Sequence, residues 1–289
     1  MTDTIIKARG LSRSYGDMRA VDRVDLDIPA GAILGLIGPN GAGKTTMLRA
    51  LLGLGKFDGE LEVLGRNPAS ERAALMEEVC FIADTATLPG WMKVKQLLEF
   101  TEGVHPRFDR AHAERLLDNT EVRANRRIRE LSKGMLVQLH LSLVMAIDAR
   151  VLVLDEPTLG LDILFRKQFY EQLLNDYFDE ERTIIISTHQ VEEVEHILSH
   201  VMFMNRGQIV LDRSLAALEE EFVELHAVGE AVARAESIPA IGSRGILGGK
   251  AFIYQGINQG LLEGLGELRA PSISDLFVAV IQGGLHHEQ

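Results

Sequence analysis

The feature that most constrains this chain is the run Gly38-Pro39-Asn40-Gly41-Ala42-Gly43-Lys44-Thr45. It fills every fixed position of the pattern G-x-x-x-x-G-K-[ST]. Glycines let a backbone curl tightly and approach a ligand closely, because no Cβ intervenes. Successive N–H groups can then line an anion-binding hollow. A helix beginning at the loop adds its positive end. The context fits. Ile33-Leu34-Gly35-Leu36-Ile37, just before the loop, is a short continuous apolar run, as in a strand buried on both faces of a parallel sheet. Thr45 and Thr46 open a helical pattern that runs through Leu52 and stops near Gly53. The expectation is a nucleotide site, with the Lys44 ammonium on the β- and γ-phosphates and the Thr45 hydroxyl on Mg²⁺.

A second apolar run, Val151-Leu152-Val153-Leu154, ends in Asp155-Glu156. In P-loop NTPases the Asp after such a strand helps hold Mg²⁺. Glu156, one residue on, is placed to polarise an attacking water as general base. Taken alone, two acids at a strand end could be no more than a solvated cap. Beside the phosphate loop they complete a hydrolytic site.

The rest of the chain alternates strands and helices, which implies an α/β domain with a mostly parallel sheet. Val21, Val24, Leu26 and Ile28 interleave with acids as one strand of an antiparallel N-terminal part. Residues 85–147 carry apolar positions at three- and four-residue spacing and form a helical subdomain. Phe165 to Tyr177 reads as a further helix. Thr183-Ile184-Ile185-Ile186-Ser187 is a third buried strand, and Asn205-Arg206-Gly207 a hairpin turn. Composition shifts near residue 212. Residues 1–212 are expected as one domain and 213–289 as a small α+β appendage, closing with a helix at 272–281.

Of 289 residues, 30 are Lys or Arg and 42 Asp or Glu, for a net charge of −12. That sign disfavours a nucleic-acid binder. Cys80, the single cysteine, forms no intrachain disulfide and sits in an apolar stretch as core filling, as expected of a reducing compartment. The first four residues lack the basic and apolar regions of a secretory signal, and no apolar run is long enough to span a membrane.

With these motifs in order, the chain resembles the ATP-binding cassette family, the nucleotide-binding subunits of ABC transporters, over about residues 4–212. Leu131-Ser132-Lys133-Gly134-Met135 resembles the family's signature motif. Leu159-Gly160-Leu161-Asp162 resembles its D-loop, and His189 its switch histidine. The resemblance implies that Tyr15 stacks on adenine and that His189 contacts the γ-phosphate. It implies that Ser132, Lys133 and Gly134 face the phosphate loop of a second subunit, with Asp162 beside them. Two ATP molecules would then be sandwiched in a homodimer or a heterodimer. It implies a separate membrane permease as partner, and attachment through it to the cytoplasmic face of the membrane. The Ser-Lys-Gly-Met signature is similar to that of ABC-2-type exporters.

Three departures stand out. Asp84 occupies the place of a Gln that serves Mg²⁺ in the family, which implies a stronger Mg²⁺ dependence. Lys133 and Met135 replace the commoner Gly and Gln, and Leu159 replaces a Ser. Asp84 and Leu159 leave open a slow nucleotide-gated switch instead of a power-stroke ATPase. A soluble P-loop kinase, with no role for Ser132, is a weaker third reading. Lys44 and Ser132 lie 88 positions apart, too close for an inserted long coiled coil. Trp91 either anchors the permease or packs inside the helical subdomain. The pair His286-His287 reads as solvated tail.

Overall fold

A computed structural model describes residues 3–83, 88–159, 161, 163–179 and 181–283. In chain order the elements are β1 (Thr4–Tyr15), β2 (Met18–Pro29), β3 (Ile33–Ile37), α1 (Lys44–Leu51), β4 (Asp58–Val63), α2 (Arg72–Leu75), β5 (Val79–Ile82), α3 (Val94–Val104), α4 (Arg110–Asp118) and α5 (Lys133–Met145). There follow β6 (Val151–Asp155), α6 (Ile163–Gln172), β7 (Thr183–Thr188), β8 (His200–Asn205), β9 (Gln208–Ser214), α7 (Leu215–Glu221), β10 (Phe222–Val228), α8 (Ala231–Glu236), β11 (Gly242–Ile246), β12 (Gly249–Gln255), β13 (Gly266–Arg269) and α9 (Ile273–Gly283).

The central sheet has the order β5-β6-β7-β3-β8-β9. All its pairings are parallel except the β8–β9 hairpin. β3, β6 and β7 are buried at every position, which is why their apolar runs do not alternate. An antiparallel sheet, β2-β1-β4, covers one face. In β2, Val21, Val24, Leu26 and Ile28 point inward, while Arg23, Asp25 and Asp27 face solvent. The expected P-loop architecture of ABC type, with its antiparallel N-terminal part and helical subdomain, is thus present.

The helical part has its own core, built from Met92, Val94 and Leu97 near α3, Leu117 of α4, and Met135, Leu139 and Leu143 of α5. α5 is apolar on nearly all sides because it serves two cores at once. Its Leu141, Val144 and Met145 belong instead to the core under the central sheet. The helix expected at Phe165–Tyr177 starts earlier, at Ile163, and its last turn, Leu173–Tyr177, widens to a π-helix. Cys80 is buried, and burial pushes its thiol up to about 12.

After α7 the chain builds an antiparallel sheet, β11-β12-β10-β13, with α8 packed on it. The boundary expected near residue 212 falls inside β9. α9 then returns to the first lobe. Ile273, Leu276, Ala279 and Val280 share a core with Val191, Leu198, Phe203 and Leu211. The Phe203 and Phe277 rings meet edge to face at 5.2 Å between centroids. His286 and His287 lie outside the described residues.

Candidate active site

The parallel sheet assembles the site at the carboxyl ends of β3, β6 and β7. The loop after β3 is set by its glycines. Gly43 caps α1 with a left-handed φ of 110°, and a Cβ there would lie 2.1 Å from the Ala20 carbonyl oxygen. A Cβ at Gly38 would lie 2.4 Å from the Met204 carbonyl oxygen. Neighbouring strands therefore press on the loop from behind. Gly38 N–H donates to Thr188 O at 3.3 Å, and Gly207 N–H to Ala42 O at 2.8 Å. The loop is thereby braced by β7 and by the β8–β9 turn.

Lys44 is buried at 6 % exposure. Its ammonium donates to Gly38 O at 2.6 Å and lies 3.3 Å from Glu156 Oε1. Glu156 Oε2 is 2.9 Å from His189 Nδ1. Lys44, Glu156 and His189 thus form one continuous polar chain across the loop, contributed by three adjacent strand ends. Glu156 holds a left-handed φ of 49°, uncommon outside glycine. Its N–H donates to Ser187, at 3.1 Å to the carbonyl oxygen and 3.2 Å to the hydroxyl oxygen. This strained turn aims the carboxylate at the loop and away from the strand axis.

Asp155 is 1 % exposed. Ser187 Oγ, its register partner on β7, donates to Oδ1. Oδ2 is buried without a hydrogen-bond partner among the described residues. A buried, half-satisfied carboxylate beside a phosphate loop fits a divalent cation nearby. Among the described residues no three His, Cys, Asp or Glu cluster as a metal cage. Mg²⁺ suits such a site, because it takes few protein ligands and keeps water and phosphate oxygens for the rest.

Tyr15 and Met18 flank the opening of an adjoining cleft of about 460 Å³. Its lining includes residues 39–46, Glu156, Leu159 and His189. Tyr15 is 46 % exposed, with the Arg13 guanidinium 4.8 Å from its ring centroid. A hydrogen bond from Arg13 holds the Tyr15 hydroxyl below its ordinary pKa. Met18 and Ala20 line the cleft without any motif to announce them. Ser187 carries no motif either, and its one signal in the sequence is a polar residue ending an apolar strand.

Ser132 caps α5, accepting from Met135 N–H at 3.2 Å. It is exposed, as is Lys133, and neither lines the phosphate cleft. Gly134 faces the Phe165 ring, 3.4 Å from where its Cβ would stand. The structure therefore joins Tyr15, residues 38–46, Asp155, Glu156 and His189; of the signature, Lys133 meets Glu156 and Leu159 only across a separate neighbouring cavity. Asp84 and Asp162 lie outside the described residues. Trp91 is 71 % exposed, so it does not fill the helical core.

A glycine loop on a parallel sheet, with Lys, Asp, Glu and His converging at the strand ends, defines a P-loop nucleoside triphosphatase. Comparison narrows the class. A family model described as ABC transporter matches residues 21–159. The daunorubicin resistance ATP-binding protein DrrA3 of Streptomyces coeruleorubidus is 31 % identical, over 76 % of this chain and 72 % of its own length. The phosphonates import ATP-binding protein PhnC 1 of Natronomonas pharaonis is 32 % identical, over 75 % of this chain and 97 % of its own. The solved ATP-binding subunit of an ABC transporter superposes with a TM-score of 0.68 at 23 % identity, over 75 % of this chain and 92 % of that one. The chain belongs to the ABC transporter ATP-binding family, and it is an ATPase subunit that works with separate membrane components.

Proposed function

We propose that this subunit hydrolyses MgATP between two nucleotide-binding subunits to drive a membrane permease, in the export direction. The observation that carries the reading is the Lys44–Glu156–His189 chain at the mouth of the phosphate loop. The loop amides of residues 38–46 and the Lys44 ammonium neutralise the β- and γ-phosphates. Tyr15 offers a ring face to the base. Thr45 and Asp155, with Asp84, would hold Mg²⁺, which supplies charge stabilisation at the phosphates. Glu156 accepts the proton of the attacking water, and His189, hydrogen-bonded to it, holds the carboxylate in line.

The exposed Ser132 and Lys133, with the half-buried Gly134, would serve a nucleotide from another subunit, since they stand outside their own cleft. The exposed Trp91, with Phe100 and Val104 also exposed on the helical subdomain, supplies an apolar surface for the permease at the cytoplasmic face of the membrane. Among the described residues no helix is long and apolar enough to cross a membrane. Export rests on the Ser-Lys-Gly-Met signature and on relatives named for drug resistance and Nod factor export.

Sizing of Glu156→Gln protein with and without MgATP tests the sandwich. The expected result is a nucleotide-dependent dimer that Ser132→Arg abolishes. A monomer in both conditions would contradict it. The switch alternative rests on Leu159 lining the cleft, and predicts dimerisation with turnover equally slow in wild type and Glu156→Gln.

A further inference from the structure

We propose that Arg166 and Glu193 form a clamp that sets the position of His189 and of the turn after Glu156, which makes both of them positioning residues for ATP hydrolysis. The proposal rests on Glu156 and His189 acting as described above. Arg166 lies on α6, and Glu193 lies four residues past His189 in the short turn Val191–Glu193. The Arg166 guanidinium pairs with Glu193 Oε1. Its Nη1 also donates to Gln190 Oε1 at 3.0 Å, and its Nε donates to Leu161 O at 2.7 Å. The second oxygen of Glu193 accepts from Thr158 Oγ1 at 3.1 Å. Thr158 is itself buried and shares a 3.2 Å contact with the Tyr170 hydroxyl.

One guanidinium and one carboxylate therefore join Thr158 and Leu161 after β6, α6, and the stretch 189–193. The two side chains are only 23 % and 19 % exposed. A planar fork reaches three acceptors at fixed angles, which an ammonium on a flexible stem does not. Releasing Glu193 would leave the buried Thr158 with one partner fewer. None of Arg166, Glu193, Thr158 and Gln190 lines the phosphate cleft, so the clamp acts through other groups. Gln190 is bonded to His189 in the chain, and Thr158 stands two residues past Glu156. A shift in either transmits directly to the 2.9 Å His189–Glu156 contact. A misplacement of about 1 Å at reacting groups costs on the order of 100-fold in rate.

The test compares steady-state MgATP hydrolysis by the full chain carrying Arg166→Gln, Glu193→Gln, both together, or Arg166→Lys, with Glu156→Gln as reference. Each single Gln variant should lower kcat about tenfold or more and leave the KM for ATP within about twofold. The double variant should fall no further than either single one, because the two residues form one device. Arg166→Lys, which keeps the charge and loses the fork, should lie between. Thermal unfolding run in parallel identifies folded variants. If Arg166→Gln does not fold, Glu193→Gln carries the test, since its amide oxygen still accepts from Thr158. Folded variants that retain wild-type kcat while Glu156→Gln is inactive overturn the clamp alone. So does a double variant whose loss equals the product of the single losses, or a KM that rises as kcat falls. A Glu156→Gln protein turning over at the wild-type rate overturns the site assignment and the clamp together.

Discussion

At the scale of single residues, the chemistry depends on backbone the sequence can support at few positions. Glu156 sits at a left-handed φ of 49°, a conformation that costs about 1–3 kcal/mol outside glycine and persists where surroundings over-determine it. Ser187 does much of that holding, since it accepts the Glu156 N–H and donates to Asp155. Ser187→Ala should lower ATP turnover roughly tenfold and raise the Mg²⁺ concentration needed for half activity, as measured by Mg²⁺ titration. Gly43→Ala, driven into the Ala20 carbonyl, should destabilise the fold by about 2 kcal/mol or more and abolish ATP binding. Cys80 gives a check that requires no activity. Its folded pKa of about 12 lies above the ordinary thiol value, so the thiol stays protonated in the native protein at pH 8. A thiol reagent should then react only as fast as the chain unfolds, and urea should accelerate the reaction sharply. Immediate labelling of native protein would contradict the burial.

At the scale of elements, legibility followed burial on two faces. β3, β6 and β7 stood out because continuous apolar runs ending in Gly, Asp or Ser leave few alternatives. The phosphate loop followed from β3 and α1 together. The end of α6 was less legible, because the π-turn at Leu173–Tyr177 keeps Leu173 and Tyr177 buried under a helical-looking pattern. α5 shows why one helix carries two cores. Leu139→Ala should cost about 2–5 kcal/mol in urea unfolding, since Leu139 is fully buried where α3, α4 and α5 meet. The Arg166–Glu193 clamp was invisible in the sequence, because its members are 27 positions apart and neither falls in a fixed motif position.

At the scale of the molecule, the C-terminal region is tied to the ATPase lobe by its last helix. α9 buries Ile273, Leu276 and Val280 against β8, β9 and the stretch after His189, and Ser274 Oγ donates to Glu192. The shift in composition near residue 212 announced a new sheet but not this return, since α9 finds its partners in strands some 70 residues earlier. Ending the chain at residue 271 should therefore expose Phe203 and its neighbours and lower the melting temperature of the ATPase lobe itself. An unchanged melting temperature would show the lobe independent of α9. The central claim is that Lys44, Glu156 and His189 form a working hydrolytic chain. It is tested most directly by steady-state ATPase and equilibrium ATP binding of wild type and Glu156→Gln, measured side by side. The account predicts a loss of at least about 100-fold in kcat with ATP affinity retained. Equal turnover by the two proteins would contradict it.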